Sequence, residues 1–339
     1  MKIKYEKINN VNKFKLTYLK LLRGLNKYTG IFNNKLTSGL LSQIYYPKEQ
    51  REAAIALINS EKYDIVIACE GYYSMLLAVI DKEINCKTIG WEHNSFDAYL
   101  NTKYKYYWNR DQLFKKYSRN LDKHIVLTEN DKNKFKNILD IDTQVIYNPI
   151  SFRSKEKSDV TNKEIISIGR FTSQKGLDNL LKSFKIMNEK CNGWTLKLYG
   201  DGEDRGLLTE LTKELGLKES VKFYPFTNNV IQAIKTASIY AMSSRWEGFG
   251  LVVTEALELG VPVVTFNTTG PSEIIGKYKC GIIVEQGNIK QFAEALIYLA
   301  ENSSKRIEYS KNAIDRAKYF NEDNIAKEWK KYFEELLEE

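Results

Sequence analysis

A glutamate in a glycine-bearing loop, with a second glutamate on the helix behind it, is the residue pair in this sequence best suited to chemistry. Both belong to the run Ser244-Arg-Trp-Glu247-Gly-Phe-Gly-Leu-Val-Val-Thr-Glu255. An apolar stretch reads as a strand ending at Met242, the loop follows, and a helix opens near Leu251. Gly248 and Gly250 let the backbone approach a ligand closely, and the free N–H groups at a helix start suit phosphate or sugar oxygens. Two carboxylates offered to one ligand accept hydrogen bonds from several hydroxyls, which is what a sugar or a ribose presents. Carboxylate spacing alone is a weak signal, because any acidic helix supplies it. The strand before the loop and the helix stop at Gly260 make it a strong one.

A second run, Ser167-Ile-Gly169-Arg170-Phe-Thr-Ser-Gln-Lys175-Gly176, also follows a strand. It sets Arg170 and Lys175 at the same strand-end edge as the glutamate loop. A diphosphate leaving group needs charge neutralisation there; the plainer reading is a pair of surface cations. Gly200-Asp-Gly202 ends the next strand and reads as a close backbone pass, a weak signal by itself. In the first half, Trp91-Glu-His93-Asn94 puts a histidine at a strand end, where a neutral imidazole could hydrogen-bond a hydroxyl. Lone histidines are more often structural, and His124, which begins a strand, is expected to be so. No Asp-x-Asp element stands at a strand end, so no metal site is expected.

Positioning these loops takes elements of the right kind. From residue 164 onward, apolar runs at 165–168, 196–199, 221–224, 239–242 and 261–265 alternate with helical patterns at 177–187, 207–215, around Ile231 and at 251–259. Strands separated by such helices predict a parallel sheet covered on both faces, a Rossmann-like domain. The first half repeats the alternation more thinly, with strands at 64–68, 87–91, 124–127 and 144–147 and helices at 47–59, 104–118 and 131–139. The expected division is an N-terminal Rossmann-like domain over 1–151, a linker over 152–163, a second domain over 164–318 and a C-terminal helix over 319–339. That helix is expected to pack back toward the first domain, with Trp329, Tyr332 and Phe333 as anchors. The fold class expected is α/β, two Rossmann-like domains facing a central cleft, with the ligand beyond the carboxyl ends of the strands.

Composition bounds the function classes. The 339 residues suffice for two cores. With 43% hydrophobic and 28% charged residues, the chain is neither disordered nor fibrous. Its 51 basic against 43 acidic side chains leave a mild +8 whose location matters more than its size. Cys69, Cys86, Cys191 and Cys280 form no CxxC pair and no zinc cluster, which predicts reduced thiols in a cytosolic protein. The longest apolar run, 75–80, is far short of the roughly 20 residues that span a bilayer. No signal-peptide core opens the chain. The expected location is cytoplasmic, with a peripheral place on the inner face of the cell membrane compatible with it.

Helical spacing puts Val11, Phe14, Tyr18, Leu21, Leu22, Leu25 and Tyr28 on one face, with Lys13, Lys20 and Lys27 recurring beside it. Two readings are open: a core-packed helix with a solvated basic face, or residues 11–28 lying on an anionic membrane surface. Residues 104–119 mix lysines with tyrosines, Trp108 and Phe114, a composition that nucleic acid can use. No RNA- or DNA-binding motif accompanies them, so no nucleic-acid partner is expected and a helix lining an acceptor cleft is preferred.

Residues 164–300 closely resemble the donor domain of the retaining glycosyltransferases of family four, which have the two-domain GT-B fold; the first half resembles that family loosely. The resemblance rests on the Gly169-Arg170…Lys175-Gly176 turn, Gly200-Asp-Gly202, the Glu247-Gly-Phe-Gly…Glu255 signature and Thr269-Gly-Pro-Ser-Glu273. By that resemblance the donor site comprises Gly169, Arg170, Lys175, Gly200, Pro225, Phe226, Glu247, Gly248, Phe249, Gly250, Leu251 and Glu255. Arg170 and Lys175 would hold the donor diphosphate, Glu255 the ribose and Glu247 the transferred sugar. Phe249, Gly250 and Leu251 would offer backbone contacts, and the base would lie near Pro225-Phe226. Glu247, His93, Arg170 and Lys175 would be the catalytic set, with His93 facing the donor sugar. The resemblance also implies a retaining, metal-independent transfer without a cofactor. A UDP-sugar would give a hexose or N-acetylhexosamine to a lipid-linked or oligosaccharide acceptor in bacterial capsule, exopolysaccharide or O-antigen synthesis.

One departure stands out. Members of the family normally begin with a short apolar strand and a glycine-rich loop, whereas Met1 leads here into Lys2-Ile-Lys-Tyr-Glu-Lys7. The N-terminal domain is therefore expected to lack its first strand–loop–helix unit, with no central strand before Asp64. That opens a second reading, a sugar-nucleotide-binding partner subunit inactive alone. A nicotinamide-dependent oxidoreductase is discounted, because no GxGxxG turn follows a first strand.

Overall fold

The computed structural model describes residues 13–338. The chain forms two compact units, one running to Ile146 and resuming at Trp329, the other spanning Tyr147–Glu328.

In the first unit α1 (Lys13–Thr29), α2 (Ser38–Tyr45) and α3 (Lys48–Ser60) precede β1 (Ile65–Cys69). Then come α4 (Gly71–Ile80), β2 (Lys87–Trp91), α5 (Asp111–Tyr117), β3 (Lys123–Val126), α6 (Glu129–Lys134) and β4 (Gln144–Val145). The strands are parallel in the order β1-β2-β3-β4, with Ile67 beside Ile89 and Trp91 beside Ile125. Met75, Leu76, Leu77, Ala78 and Ile80 of α4 are all buried. A helix apolar all round has no amphipathic period, so its sequence reads only as an apolar run.

Three expectations meet the structure here. The helix expected over 104–118 is present only as α5, because Tyr104, Tyr106 and Asn109 take left-handed φ angles of 61°, 42° and 60° and break the segment into turns. The core-packed reading of α1 is corrected. Of the expected face only Leu22 packs against the core, beside the buried Leu19 and Asn26, whereas Phe14, Tyr18, Leu21, Leu25 and Tyr28 are exposed; Val11 lies outside the described residues. Among the described residues the first strand is β1, at the edge of its sheet. Residues 1–10, on which the missing-strand expectation turns, lie outside them.

The second unit runs β5 (Glu164–Ile168), α7 (Leu177–Lys190), β6 (Thr195–Tyr199), α8 (Arg205–Glu214), β7 (Val221–Tyr224), α9 (Val230–Lys235) and β8 (Ile239–Met242). It continues through α10 (Leu251–Glu258), β9 (Val263–Phe266), α11 (Thr269–Ile275), β10 (Gly281–Val284), α12 (Ile289–Glu301) and α13 (Ser303–Ala317), and α14 (Glu322–Glu338) follows. Six parallel strands lie in the order β10-β9-β8-β5-β6-β7. The chain builds outward from β5 to β7, returns, and builds outward again from β8 to β10. Strand order therefore reverses between β5 and β8, and the loops leaving these two neighbours open the crevice in which such sheets bind ligands. Behind the first loop, α7 buries Leu180, Leu181, Phe184 and Met187 completely. At about 1.5–3 kcal/mol for each large apolar side chain, that face fixes the helix, and with it the loop, to the sheet.

Residues 152–163 contain no helix or strand and run along the second unit, where Ser158 Oγ donates to the Ala237 carbonyl at 2.7 Å and Lys157 Nζ reaches Glu258 Oε1 at 2.7 Å. In α14, Trp329 meets Trp91 edge-on with ring centroids 4.8 Å apart. Among the described residues no helix is long and apolar enough to cross a membrane.

Candidate active site

The β5 and β8 loops are stitched together. Lys175 Nζ donates to Glu247 Oε2 at 2.6 Å, and Ser244 Oγ donates to the same oxygen at 3.3 Å. Arg245 N donates to the Gln174 carbonyl at 2.7 Å, and Gln174 Nε2 returns a bond to the Trp246 carbonyl at 3.2 Å. The Arg245 guanidinium grips both oxygens of Asp178, on the first turn of α7, at 3.0 and 2.8 Å. Gly176 makes this closure possible. Its φ is +59°, and a Cβ there would stand 2.3 Å from the Ser243 carbonyl oxygen. Arg170, in contrast to Lys175, is exposed, and no side chain among the described residues hydrogen-bonds its guanidinium. The crevice thus holds one compensated cation and one uncompensated one, beside a pocket lined by Ser167, Gly169, Lys175, Tyr240, Ser243 and Ser244.

Glu255 projects from α10 and is 9% exposed. Burial raises its carboxyl above the usual range, against a hydrogen bond from Ser151. Tyr240, buried on β8, has its hydroxyl at the Ile168 carbonyl, 3.2 Å away. Burial pushes its phenol up, and the charges of Glu255 and Glu247 both add to the shift. Tyr240 is therefore within electrostatic reach of both carboxylates, a role that no spacing in the sequence could reveal.

The remaining donor-side residues fall around this crevice. Gly200 closes over the β5 loop so tightly that a Cβ would lie 2.0 Å from the Gly169 carbonyl oxygen. Gly250, with φ +86°, starts α10 ahead of the partly exposed Leu251. Phe249 turns its ring inward against Tyr147 and Phe320, at 5.8 Å from each, which leaves only its backbone for a ligand. Gly248 offers its carbonyl to the start of α11, where a Cβ on Gly270 would be 2.2 Å away. Pro225 and Phe226 follow β7, at the far edge of the sheet, and both are exposed. Three strand spacings separate β7 from β8, about 14 Å, so a ligand reaching both loops must be extended. In the first unit, His93 follows β2 with its ring 4.3 Å from Trp91. Burial lowers its pKa, against a raising pull from Glu70. His124 is buried with Nε2 2.9 Å from the Ser118 carbonyl, a structural contact. Among the described residues, no group of three or more His, Cys, Asp and Glu side chains could hold a metal ion.

Cations, carboxylates and glycines gathered at a switch point define a Rossmann-like unit whose crevice suits an anionic, hydroxyl-rich ligand. The model of the glycosyl transferases group 1 matches residues 150–316, which contain every donor-side residue named above. An uncharacterized glycosyltransferase of Haemophilus influenzae is 32% identical over 311 residues, 88% of this chain and 83% of that protein. The amylovoran biosynthesis glycosyltransferase AmsD of Erwinia amylovora is 28% identical over 217 residues, 61% of this chain and 61% of that one. Among solved structures, Anabaena HepE in complex with UDP has a TM-score of 0.72 at 18% identity and covers 96% of both chains; an identity that low speaks for the fold, which is GT-B. The chain belongs to the glycosyl transferases group 1, the family-four type with the GT-B fold, and is a glycosyltransferase.

Proposed function

We propose that the chain is a retaining, metal-independent glycosyltransferase that moves a hexose or N-acetylhexosamine from a UDP-sugar to a lipid-linked or oligosaccharide acceptor of a bacterial capsule, exopolysaccharide or O-antigen. The observation that carries this reading is the Lys175–Glu247 pair beside the exposed Arg170. An entering diphosphate takes Arg170 and draws Lys175 from Glu247, and the released Glu247 carboxylate accepts hydrogen bonds from the sugar hydroxyls. Glu255 receives the ribose hydroxyls, the backbone of residues 249–251 steadies the phosphate end, and the base stacks by Pro225 and Phe226. His93, kept neutral, bonds a sugar hydroxyl.

In the transfer the bond from the anomeric carbon to the β-phosphate oxygen breaks. A bond to the acceptor oxygen forms on the same face, and the acceptor proton passes to the departing phosphate oxygen. The two cations stabilise the charge that develops on that oxygen, the contribution that preorganised electrostatics makes best. The enzyme works from the cytoplasmic side, peripheral to the inner membrane face, with residues 11–28 toward anionic lipid.

Incubation with UDP-hexoses, UDP-N-acetylhexosamines and a lipid-diphosphate-linked sugar tests the reading. UDP should appear only with acceptor present, and the product should keep the donor's anomeric configuration; an inverted product overturns the retaining assignment. One observation favours a second reading: among the described residues the first unit's sheet has four strands and the second unit's has six. A partner subunit inactive alone would bind UDP and release none from any donor with any acceptor.

A further inference from the structure

Glu70, which follows β1, holds a backbone that few side chains tolerate. Its φ is 77° and its ψ 141°, a region that is entered almost only by glycine. The neighbours keep it there. Its N–H donates to the Trp91 carbonyl at 2.8 Å and ties it to the end of β2. Beside it, Tyr107 presses on Gly71 so closely that a Cβ there would stand 2.5 Å from the ring. Tyr107 belongs to the segment in which Tyr104, Tyr106 and Asn109 are also left-handed. Strain of this kind persists only where the surroundings impose it, and it gathers at sites that bind or react.

The strain aims a side chain. The Tyr107 hydroxyl donates to Glu70 Oε1 at 3.2 Å, and Asn94 Nδ2 reaches Glu70 Oε2 at 3.5 Å. The buried Tyr99 joins the two strand ends. Its hydroxyl oxygen lies 3.3, 3.2 and 3.3 Å from the N–H groups of Gly71, His93 and Asn94. Glu70, His93 and Asn94 thus share one corner at the carboxyl ends of β1 and β2, the end of a parallel sheet at which ligands bind.

Much of the bonding capacity collected there is unspent. A carboxylate offers about four lone-pair sites, and the two contacts to Glu70 are both long ones. Among the described residues nothing hydrogen-bonds a ring nitrogen of His93 or the carboxamide oxygen of Asn94. All three side chains are half-buried. Among the described residues no cation pairs with Glu70, so an anionic ligand would be repelled. A neutral ligand dense in hydroxyls fits, with two neighbouring hydroxyls donating to the carboxylate in charge-assisted bonds.

We infer that Glu70, with His93 and Asn94, binds the terminal sugar of the acceptor, and that Glu70 selects it by the configuration of two adjacent ring hydroxyls. The inference deepens the proposed function and rests on it in one respect: there His93 bonds the transferred sugar, so the carboxylate beside it receives the acceptor. Saturation-transfer NMR of the full chain with the methyl α-pyranosides of glucose, galactose, mannose and N-acetylglucosamine tests the site directly. The wild type should bind at least one of them, and Glu70→Gln should weaken that binding at least about tenfold. In transfer assays with the lipid-diphosphate-linked sugar, Glu70→Gln should raise the acceptor KM at least about tenfold and keep the donor KM within about threefold. Glu70→Gly separates site from scaffold. Glycine relieves the strain, so this variant should melt no lower than the wild type while losing the sugar. No pyranoside bound by the wild type, equal binding by Glu70→Gln, or a Glu70→Gly variant that melts lower overturns the site. Glu70-dependent sugar binding without transfer from any donor rejects the proposed reaction alone. Transfer with an unchanged acceptor KM in Glu70→Gln rejects this site alone.

Discussion

Lys175, on the loop after β5, and Glu247, on the loop after β8, meet at 2.6 Å across the point where strand order reverses in the second unit. Neither is well exposed, so the pair is a built feature rather than a surface contact. It compensates Lys175 while Arg170 stays exposed, and under the proposed function an entering diphosphate must open it.

Substituting each partner should separate their roles. Lys175→Ala removes a charge-assisted contact and should weaken UDP binding by about 1.5–3 kcal/mol. Glu247→Ala leaves the cation free for phosphate, so UDP affinity should stay within about threefold while kcat falls about 10²–10³-fold. Calorimetry with steady-state rates checks both. Equal losses of UDP affinity would put Glu247 on the nucleotide instead of the sugar.

The close approach of the two loops predicts a structural sensitivity at Gly176. A side chain there meets the Ser243 carbonyl oxygen at 2.3 Å in a left-handed conformation. Gly176→Ala should cost about 1–3 kcal/mol of stability and weaken UDP binding with it, read from thermal melts with and without UDP. An unchanged melting temperature would show that the loop yields without consequence.

Stability should also depend on pH through Glu92. Burial pushes its carboxyl up to about 8, against a pull from Ser74. A raised folded-state pKa means that the fold holds a proton the unfolded chain releases. Its contribution is full below the ordinary carboxylate pKa and is lost as pH rises through about 8, at about 1.4 kcal/mol per pH unit. Glu92→Gln, which mimics the protonated form, should therefore lose less stability than the wild type between about pH 5 and pH 8. Parallel pH profiles of the two proteins in denaturant unfolding would contradict this.

Much of this site was readable before any coordinates, for a definite reason. Each functional loop leaves a strand, and parallel strands of one sheet end on one edge, so Arg170, Lys175 and Glu247 could be grouped from strand positions alone. Their pairing could not, because Lys175 and Glu247 are held together by strand order, and the jump from β7 back to β8 leaves no local trace. Tyr240 and the Arg245–Asp178 lock were hidden for the same reason. α4 reads only as an apolar run, because its almost wholly apolar sequence shows no amphipathic period. The strand Gly281–Val284 and the helix after it went unread because so short an apolar run signals nothing by itself. Residues 104–110 read as helix from their composition, which does not report left-handed tyrosines. α1 reads as a helix, but amphipathicity alone cannot say which face is covered; Leu19 and Leu22 with the polar anchors Arg23 and Asn26 decide that.

Chelation supplies a fourth test. With cations placed where a metal would otherwise neutralise the diphosphate, excess EDTA should leave the transfer rate unchanged. Loss of activity restored by Mn²⁺ or Mg²⁺ would show that Arg170 and Lys175 are not the main stabilisers.

The most direct measurement is UDP titration by calorimetry against the wild type, Arg170→Ala and Glu255→Ala. Binding to the wild type, with losses of about 1–3 kcal/mol in each variant through the diphosphate and the ribose respectively, is the predicted result. Unchanged affinity in both variants, or no UDP binding by the wild type, would contradict a donor site at the β5–β8 switch point.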